Sequence, residues 1–299
     1  MDRIEIVQQM QDYICKHCKD ADFSVSNICN AVGYSRRHTD RIFKEYMGKT
    51  LQEYINAVCL TESVNELLNT EKPILEVALN SHFGSHEGFL RSFHKRFHVT
   101  PSEYRDKKTA IPLFVQYPIS QYYALLNYKE ESIMSNDLCF CMVTAQERTK
   151  RKLIYLPSHK AQDYFSYCEE LGCEWEGLLN SIPEKLDSAA LIELPDSLVE
   201  NGFSKIAAGI EVPYDYDKTI PEAYRIAALP ECTMLYFQSE PYEKEEDFCQ
   251  AIDSTYIAIG KYNPALYGYE FAYDIAPSFN FGADAKTGAR LAVPAIHMK

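Results

Sequence analysis

Apolar residues recur at spacings of three and four through the first hundred positions, and the pattern predicts seven helices. Ile4, Val7, Ile14 and Cys18 mark the inner stripe of a first helix over about 3–18. Ser24 is placed to cap a second, with Val25, Ile28, Cys29 and Val32 facing inward. Gly33 follows, where a tight helix-to-helix turn needs positive φ, and Ser35 is placed to cap the third helix. On that helix Arg37, Asp40, Arg41 and Lys44 share one face, and Ile42, Phe43, Tyr46 and Met47 share the other. Leu51, Tyr54, Ile55, Val58, Leu67 and Leu68 predict a long fourth helix over 51–69. Pro73 to Ser81 give a fifth. Ser85 caps a sixth, with Phe89, Phe93 and Phe97 at a repeat of four. Thr100-Pro101-Ser102-Glu103 opens a seventh, with proline at the tolerated first position and a Thr…Glu capping box. Helices two and three, and again five and six, are spaced as helix-turn-helix pairs.

Residues 109–137 read as a connector with one short helical or extended piece, Tyr122 to Tyr128. From about 138 the period changes. Leu138–Ala145, Lys152–Leu156, Ala189–Leu194 and Lys205–Val212 are strand-like, with a helix over Ala161–Ile182. The order then repeats: strand Thr233–Gln238, helix Glu243–Tyr262, then strands Tyr267–Ile275 and Ala289–Pro294. The endings Ile210-Glu211-Val212-Pro213 and Leu291-Ala292-Val293-Pro294 echo each other. The expected architecture is multidomain: all-α over 1–108, a connector over 109–137, and over 138–299 an α+β domain of duplicated strand–helix–strand–strand (βαββ) units.

Charge sharpens the division. The chain has 299 residues and a net charge of −13. Residues 1–110 hold 15 Lys/Arg and 15 Asp/Glu, so the acidic excess lies wholly beyond them. What matters for nucleic acid is local charge, and residues 33–44 carry four basic residues against Asp40. No apolar run approaches the roughly 20 residues of a membrane span, and the first residues lack a signal-peptide pattern. The expectation is a cytoplasmic protein with no membrane partner. Its ten cysteines are then free thiols that pack as small apolar groups, Cys15 and Cys18 included. No nucleophile motif, phosphate loop or metal-ligand cluster stands out, so neither enzyme activity nor a cofactor is expected.

Residues 1–108 closely resemble the AraC/XylS family of transcriptional regulators. The resemblance rests on Gly33-Tyr34-Ser35, Phe43-Lys44, Met47-Gly48-Lys49, Phe83 with Phe93, and above all Phe97-His98-Val99-Thr100-Pro101-Ser102-Glu103-Tyr104-Arg105. It implies two helix-turn-helix units joined by the long middle helix, with recognition helices entering successive major grooves of double-stranded DNA about 34 Å apart. By position the first recognition helix offers Arg36, Arg37, Asp40 and Arg41 to bases and Lys44 to a phosphate. The second offers Ser85 as its cap and His86, Glu87 and Arg91 for contact. The chain departs from the family at His82, where the second turn usually has glycine, at Gly88 inside the second recognition helix, and at Cys59, where a basic residue is usual. The second unit is therefore expected to bind or read less than the first.

Residues 138–299 resemble the GyrI-like effector-binding domain in their element order, their two Val-Pro endings and Leu235-Tyr236-Phe237-Gln238-Ser239-Glu240-Pro241-Tyr242. The resemblance implies binding of a small, often cationic and aromatic effector between two halves, around an acidic residue on a strand of the second repeat. By position that residue is Glu270. Seventeen of the 22 tyrosines, and the sole tryptophan, lie beyond residue 110. A carboxylate with aromatic walls suits a cation. The candidate walls are Tyr164, Trp175, Phe237 and Tyr242, all residues whose spacing also fits a core.

The leading reading is a ligand-responsive, sequence-specific transcriptional regulator. Its ligand must bind the DNA-competent and incompetent states unequally to matter. Reorientation through residues 105–137, or altered contact with a partner such as RNA polymerase, would transmit the effect. Two other readings stay open: a GyrI-like hydrolase using Glu270 and nearby tyrosines, and a ligand-sequestering protein whose DNA binding has decayed.

Overall fold

The computed structural model describes residues 3–20, 22–120, 123 and 141–298. Contacts divide the chain into two compact units, 1–124 and 125–299. The predicted Tyr122–Tyr128 piece lies outside the described residues except for Tyr123, as do residues 138–140 of the first predicted strand.

The first unit contains α1 (Arg3–His17), α2 (Val25–Val32), α3 (Arg36–Met47), α4 (Leu51–Asn69), α5 (Ile74–Asn80), α6 (His86–Phe97) and α7 (Pro101–Lys107). Helix α4 serves two cores. Its Leu51, Tyr54, Ile55, Val58 and Cys59 pack with α1, α2 and α3, while Leu60, Val64 and Leu67 pack with α5, α6 and α7. Both predicted boxes of turn chemistry are present. Gly33 has φ 72°, and its N–H closes α2 on the carbonyl oxygens of Asn30 and Cys29. Thr100 Oγ1 accepts from Glu103 N at 3.2 Å while the Glu103 carboxylate accepts from Thr100 N at 2.8 Å. A second capping box, Thr50 with Glu53, starts α4. Ser35 departs from expectation: it sits at the cap of α3 but its side chain makes no capping hydrogen bond.

The chain after α7 returns along this unit. Ile111 enters the α5–α7 core, and Phe114 meets the Tyr54 ring edge-on at 5.0 Å. The amide of Gln11, buried on α1, donates to Tyr54 Oη and to Tyr117 O and accepts from Ile119 N. Every polar atom of this buried side chain is thereby used, which is the condition for keeping it inside.

The second unit contains β1 (Cys141–Arg148), β2 (Arg151–Pro157), α8 (Tyr164–Leu171), α9 (Glu174–Asn180), β3 (Ala190–Glu193), β4 (Ile206–Pro213), β5 (Arg225–Leu229), β6 (Cys232–Ser239), α10 (Phe248–Lys261), β7 (Tyr269–Phe271), β8 (Ser278–Asp284) and β9 (Gly288–His297). All pairings are antiparallel, in the order β1-β6-β9-β8-β3-β4-β2-β5, with β7 added to β9. The order reads the same from either edge when β1 is matched with β5, β2 with β6, β3 with β8 and β4 with β9. Register carries one row of side chains across the sheet: Ala208, Leu191, Asn280, Leu291 and Phe237 face one side. Helix α10 covers Leu235, Phe237 and Val293 on that side.

Three expectations change here, and one strand, β5, was not expected. The helix over 161–182 is two helices, because Gly172 at φ 75° ends α8. The strand over 267–275 is the three-residue β7, and β8 follows it. The short strand β5, Arg-Ile-Ala-Ala-Leu, carries no strong alternation and is held by pairing to β2. The helix expected over 243–262 opens with a 3₁₀ turn at Glu245–Asp247 before α10 begins.

The opposite face holds a buried charge network. Arg151, 1% exposed, donates from Nε to Glu211 Oε1 at 2.6 Å and from Nη1 to Pro230 O at 2.6 Å. Arg148 approaches the other Glu211 oxygen at 3.4 Å and donates to Tyr236 Oη. Asp187 accepts from Arg290 and Tyr236. Removing one partner leaves an uncompensated buried charge. Glu211→Gln is expected to lower the stability of this unit by about 3–5 kcal/mol. Asp196→Asn, which breaks the exposed pair with Lys205, should leave it unchanged, because water screens the pair. Urea denaturation of the two variants distinguishes them, and equal midpoints would refute the assignment.

Candidate nucleic-acid interface and sheet cleft

Helix α3 is turned by its core contacts. Ile42 and Phe43 are buried against α1 and α4, and Phe43 meets Tyr54 edge-on at 5.1 Å. Arg36, Arg37, Arg41 and Lys44 are consequently exposed on the other side, with Asp40 half-buried among them. Arg36 Nε lies 3.8 Å from Asp40 Oδ2. Arg41 Nη2 contacts His38 Nδ1 at 3.3 Å, and the His38 ring stacks on Tyr34 at 4.8 Å. This Tyr34–His38–Arg41 chain orients Arg41. Its signal in the sequence is the spacing of three that sets His38 and Arg41 on one helical face, with Tyr34 just before the cap.

Helix α6 is held in the same way by Phe89, Phe93 and Phe97, all buried. Arg91 and Glu87 are exposed. Ser85 Oγ accepts from Gly88 N at 3.1 Å, so this hydroxyl is engaged in capping. His86 is half-buried. His82, at the position where glycine is usual, has a positive φ of 54°, and its ring lies edge-on to Phe23 at 5.4 Å. The Nε2 atoms of His82 and His86 have no hydrogen-bond partner among the described residues.

The candidate effector residues are not gathered around one cavity. Trp175 is buried, with Tyr164 at 6.5 Å and Tyr167 at 5.8 Å. Phe237 is fully buried beneath α10, edge-on to Tyr262 at 5.2 Å. Tyr242 is half-buried, and burial together with nearby carboxylates raises its phenol. Glu270 is exposed on β7, opposite Ile296.

The sheet instead opens a cleft of about 780 Å³ where β3 meets β8. Glu193, Tyr256, Tyr273, Asp274 and Asn280 line it, with Leu291 among its apolar residues. Tyr256 Oη accepts from Asn280 Nδ2 at 3.3 Å. Burial raises the phenols of Tyr256 and Tyr273, and the Glu193 carboxylate raises both further. Glu193 is the one exposed residue of an otherwise buried strand, Ala-Leu-Ile-Glu. That break in an apolar run was its only sequence signal, and the sequence reading passed over it. Among the described residues no group of three or more His, Cys, Asp or Glu is placed to hold a metal ion, and no helix is long and apolar enough to cross a membrane.

Two helix-turn-helix units on one shared helix, each with a polar helix face turned to solvent, define a DNA-binding module. Residues 28–107 match the family described as a helix-turn-helix domain. The transposon Tn10 TetD protein of Escherichia coli is 41% identical over 93 residues, which cover 31% of this chain and 67% of that protein. The right origin-binding protein of Escherichia coli K12 is 36% identical over 105 residues, covering 35% of this chain and 36% of that protein. A solved AraC-type transcriptional regulator from Chromobacterium violaceum shows 26% identity and a TM-score of 0.32, covering 34% of this chain and 91% of that one. The chain belongs to the AraC-type helix-turn-helix family of transcriptional regulators.

The two recognition helices start differently, and a measurement separates them. Ser85→Ala removes a capping bond and is expected to cost about 1 kcal/mol. Ser35→Ala removes none and should stay within about 0.5 kcal/mol. Urea midpoints of the two variants that moved equally would contradict this.

Proposed function

We propose that this regulator reads a specific DNA sequence chiefly through α3 and that its sheet unit binds a small aromatic cation. The observation that carries the first part is the exposed face Arg37, Arg41 and Lys44, set by burial of Ile42 and Phe43 and by the left-handed Gly33. Arg37 and Arg41 suit bidentate contact with guanine, Asp40 can accept from a cytosine amine, and Lys44 suits a phosphate. The second unit contributes Arg91, with His86 and Glu87 beside it. Selection of bound sequences from random DNA gives the operator. On that operator Arg41→Ala should weaken binding by about 1–3 kcal/mol and relax preference at one position. Lys44→Ala should weaken all sequences alike and reduce the salt slope by about 1. Loss of affinity without loss of preference in Arg41→Ala would count against base reading.

The second part is a GyrI-like reading of residues 138–299, with two βαββ halves related by duplication. The strand order that reads alike from both edges supports it, as does a cleft at the seam between the halves. Glu193 takes the part that the resemblance assigned to Glu270. Its carboxylate stands beside two tyrosines, and Asp274 adds negative charge, so the cleft favours a cation with flat apolar surfaces. Ligand binding would then alter DNA occupancy or contact with a partner such as RNA polymerase, to the extent that it favours one state. Titrated with a panel of aromatic cations, Glu193→Gln should bind roughly tenfold or more weakly, a change of about 1.4 kcal/mol. Glu270→Gln should match the unmodified protein. The reverse pattern would return the site to β7.

A further inference from the structure

Helices α3 and α6 are each 12 residues long, and their first residues, Arg36 and His86, lie fifty positions apart. The correspondence continues past both helices. Each ends on a residue of positive φ, Gly48 at 66° and His98 at 58°. Each is followed by a Thr…Glu capping box, Thr50 with Glu53 and Thr100 with Glu103. The next residues, Tyr54 and Tyr104, are both buried, as are Phe43 and Phe93 inside the helices. Residues 35–54 and 85–104 are therefore two copies of one local structure, and every position of α3 has a counterpart in α6.

The two copies differ in the kind of charge they carry. Arg41 answers to Arg91, and both are exposed. Arg36 and Lys44, permanent cations, answer to His86 and His94, and Arg37 answers to Glu87. Lys44 and His94 are both exposed, and each stands near the carboxylate of the capping box that follows its helix. Hydrogen bonds from Thr50 hold the Glu53 carboxyl below its ordinary value, and Lys44 adds to the effect. Thr100 does the same for Glu103, with Lys107 and His94 adding to it. On α6, Arg91 and His98 lie one turn either side of His94, and Lys95 follows it. From α7 the charged groups are Glu103, Asp106 and Lys107, while Arg105 donates to Lys72 O at 2.8 Å. Glu76, the one charged residue of α5, lies 3.8 Å from Lys72, and on α4 Glu62 and Glu66 pair with Lys19 and Lys72.

A lysine keeps its charge through the neutral range, whereas an imidazole gains or loses its charge between about pH 5 and 8. A phosphate within ion-pairing reach favours the imidazolium, so a histidine that meets DNA takes up a proton as it binds. The bound group then titrates above the free one. The added affinity is complete below the free value and is lost as pH rises through the bound value.

We propose that His94 is the phosphate contact of the second recognition helix, the counterpart of Lys44, and that it holds the phosphate only as imidazolium. This contact, which rests on the reading of α6 as a DNA-facing helix, tightens as pH falls, while Lys44 keeps its own phosphate throughout.

The test titrates the full chain and the variants His94→Gln, His94→Lys and Arg91→Ala onto the selected operator by fluorescence anisotropy, at about pH 6 and about pH 8 and over a range of salt. The unmodified chain should bind about threefold to fivefold more tightly than His94→Gln at the lower pH, and equally at the higher. Its salt slope should exceed that of His94→Gln by about 1 at the lower pH only. His94→Lys should exceed His94→Gln by the same factor at both. Comparison with His94→Gln removes the contributions of His38, His86 and His98, which all four proteins share. A ratio of the unmodified chain to His94→Gln that is the same at both pH values, with Arg91→Ala weakened, would overturn the titrating contact and leave α6 on DNA. The same flat ratio with full affinity in Arg91→Ala would remove α6 from the DNA, and the contact with it.

Discussion

Burial of Ile42 and Phe43 is the interaction that decides which face α3 presents. An α-helix has one orientation about its axis in which an apolar stripe meets a core, and that orientation decides what the opposite face presents. With Phe43 packed on Tyr54 and Ile42 in the core of α1, α2 and α4, the side chains of Arg37, Arg41 and Lys44 are exposed. The same logic runs through α6, where three buried phenylalanines at a repeat of four turn Arg91 outward. Helix α4 links the two settings. Its first half closes one core and its second half the other, so a change in α4 would be felt by both recognition helices.

The sheet unit obeys a different constraint. Each strand has two faces, and register decides which side chains meet across it. One face is covered by α10 and leaves the cleft at the seam of β3 and β8. The other buries Arg151 and Glu211 and holds Arg148, Asp187 and Arg290, only partly exposed, around them. Charges so placed are tolerated because nearly every one meets an opposite charge or a hydrogen-bonding oxygen in good geometry. The network joins residues from β1, β2, β4, β6 and β9, so it also fixes the register of strands that are distant in the chain.

What the sequence made legible follows from the range of the interactions involved. The seven helices of the first unit are set by local periodicity and by caps within four residues, and they were all readable. So was the face of α3. The residues that escaped are those whose meaning depends on distant partners. Gln11 reads as a polar gap in an apolar stripe until Tyr117 and Ile119, more than a hundred positions later, supply its hydrogen bonds. Arg151 and Glu211 read as solvated strand ends until pairing of β2 with β4 buries them together. Strand β5 is too short and too weakly alternating to announce itself without β2. Glu193 lay in a strand that was correctly anticipated, but its neighbours Tyr256 and Tyr273 come from later parts of the chain.

The two turns show how a local departure is absorbed. Gly33 enters the left-handed region without a Cβ to clash, whereas His82 enters it at a cost of about 1–2 kcal/mol. The histidine recovers part of this by packing: its ring meets Phe23 edge-on, and Phe83 beside it contacts both cores of the unit. Packing of this kind ties the second turn to the loop before α2. It couples the second helix-turn-helix to the first, while the Gly33 turn is closed by hydrogen bonds to its own helix α2. The asymmetry in how the units are built thus has a physical source in one side chain, and it agrees with an arrangement in which α3 supplies the denser set of exposed basic groups.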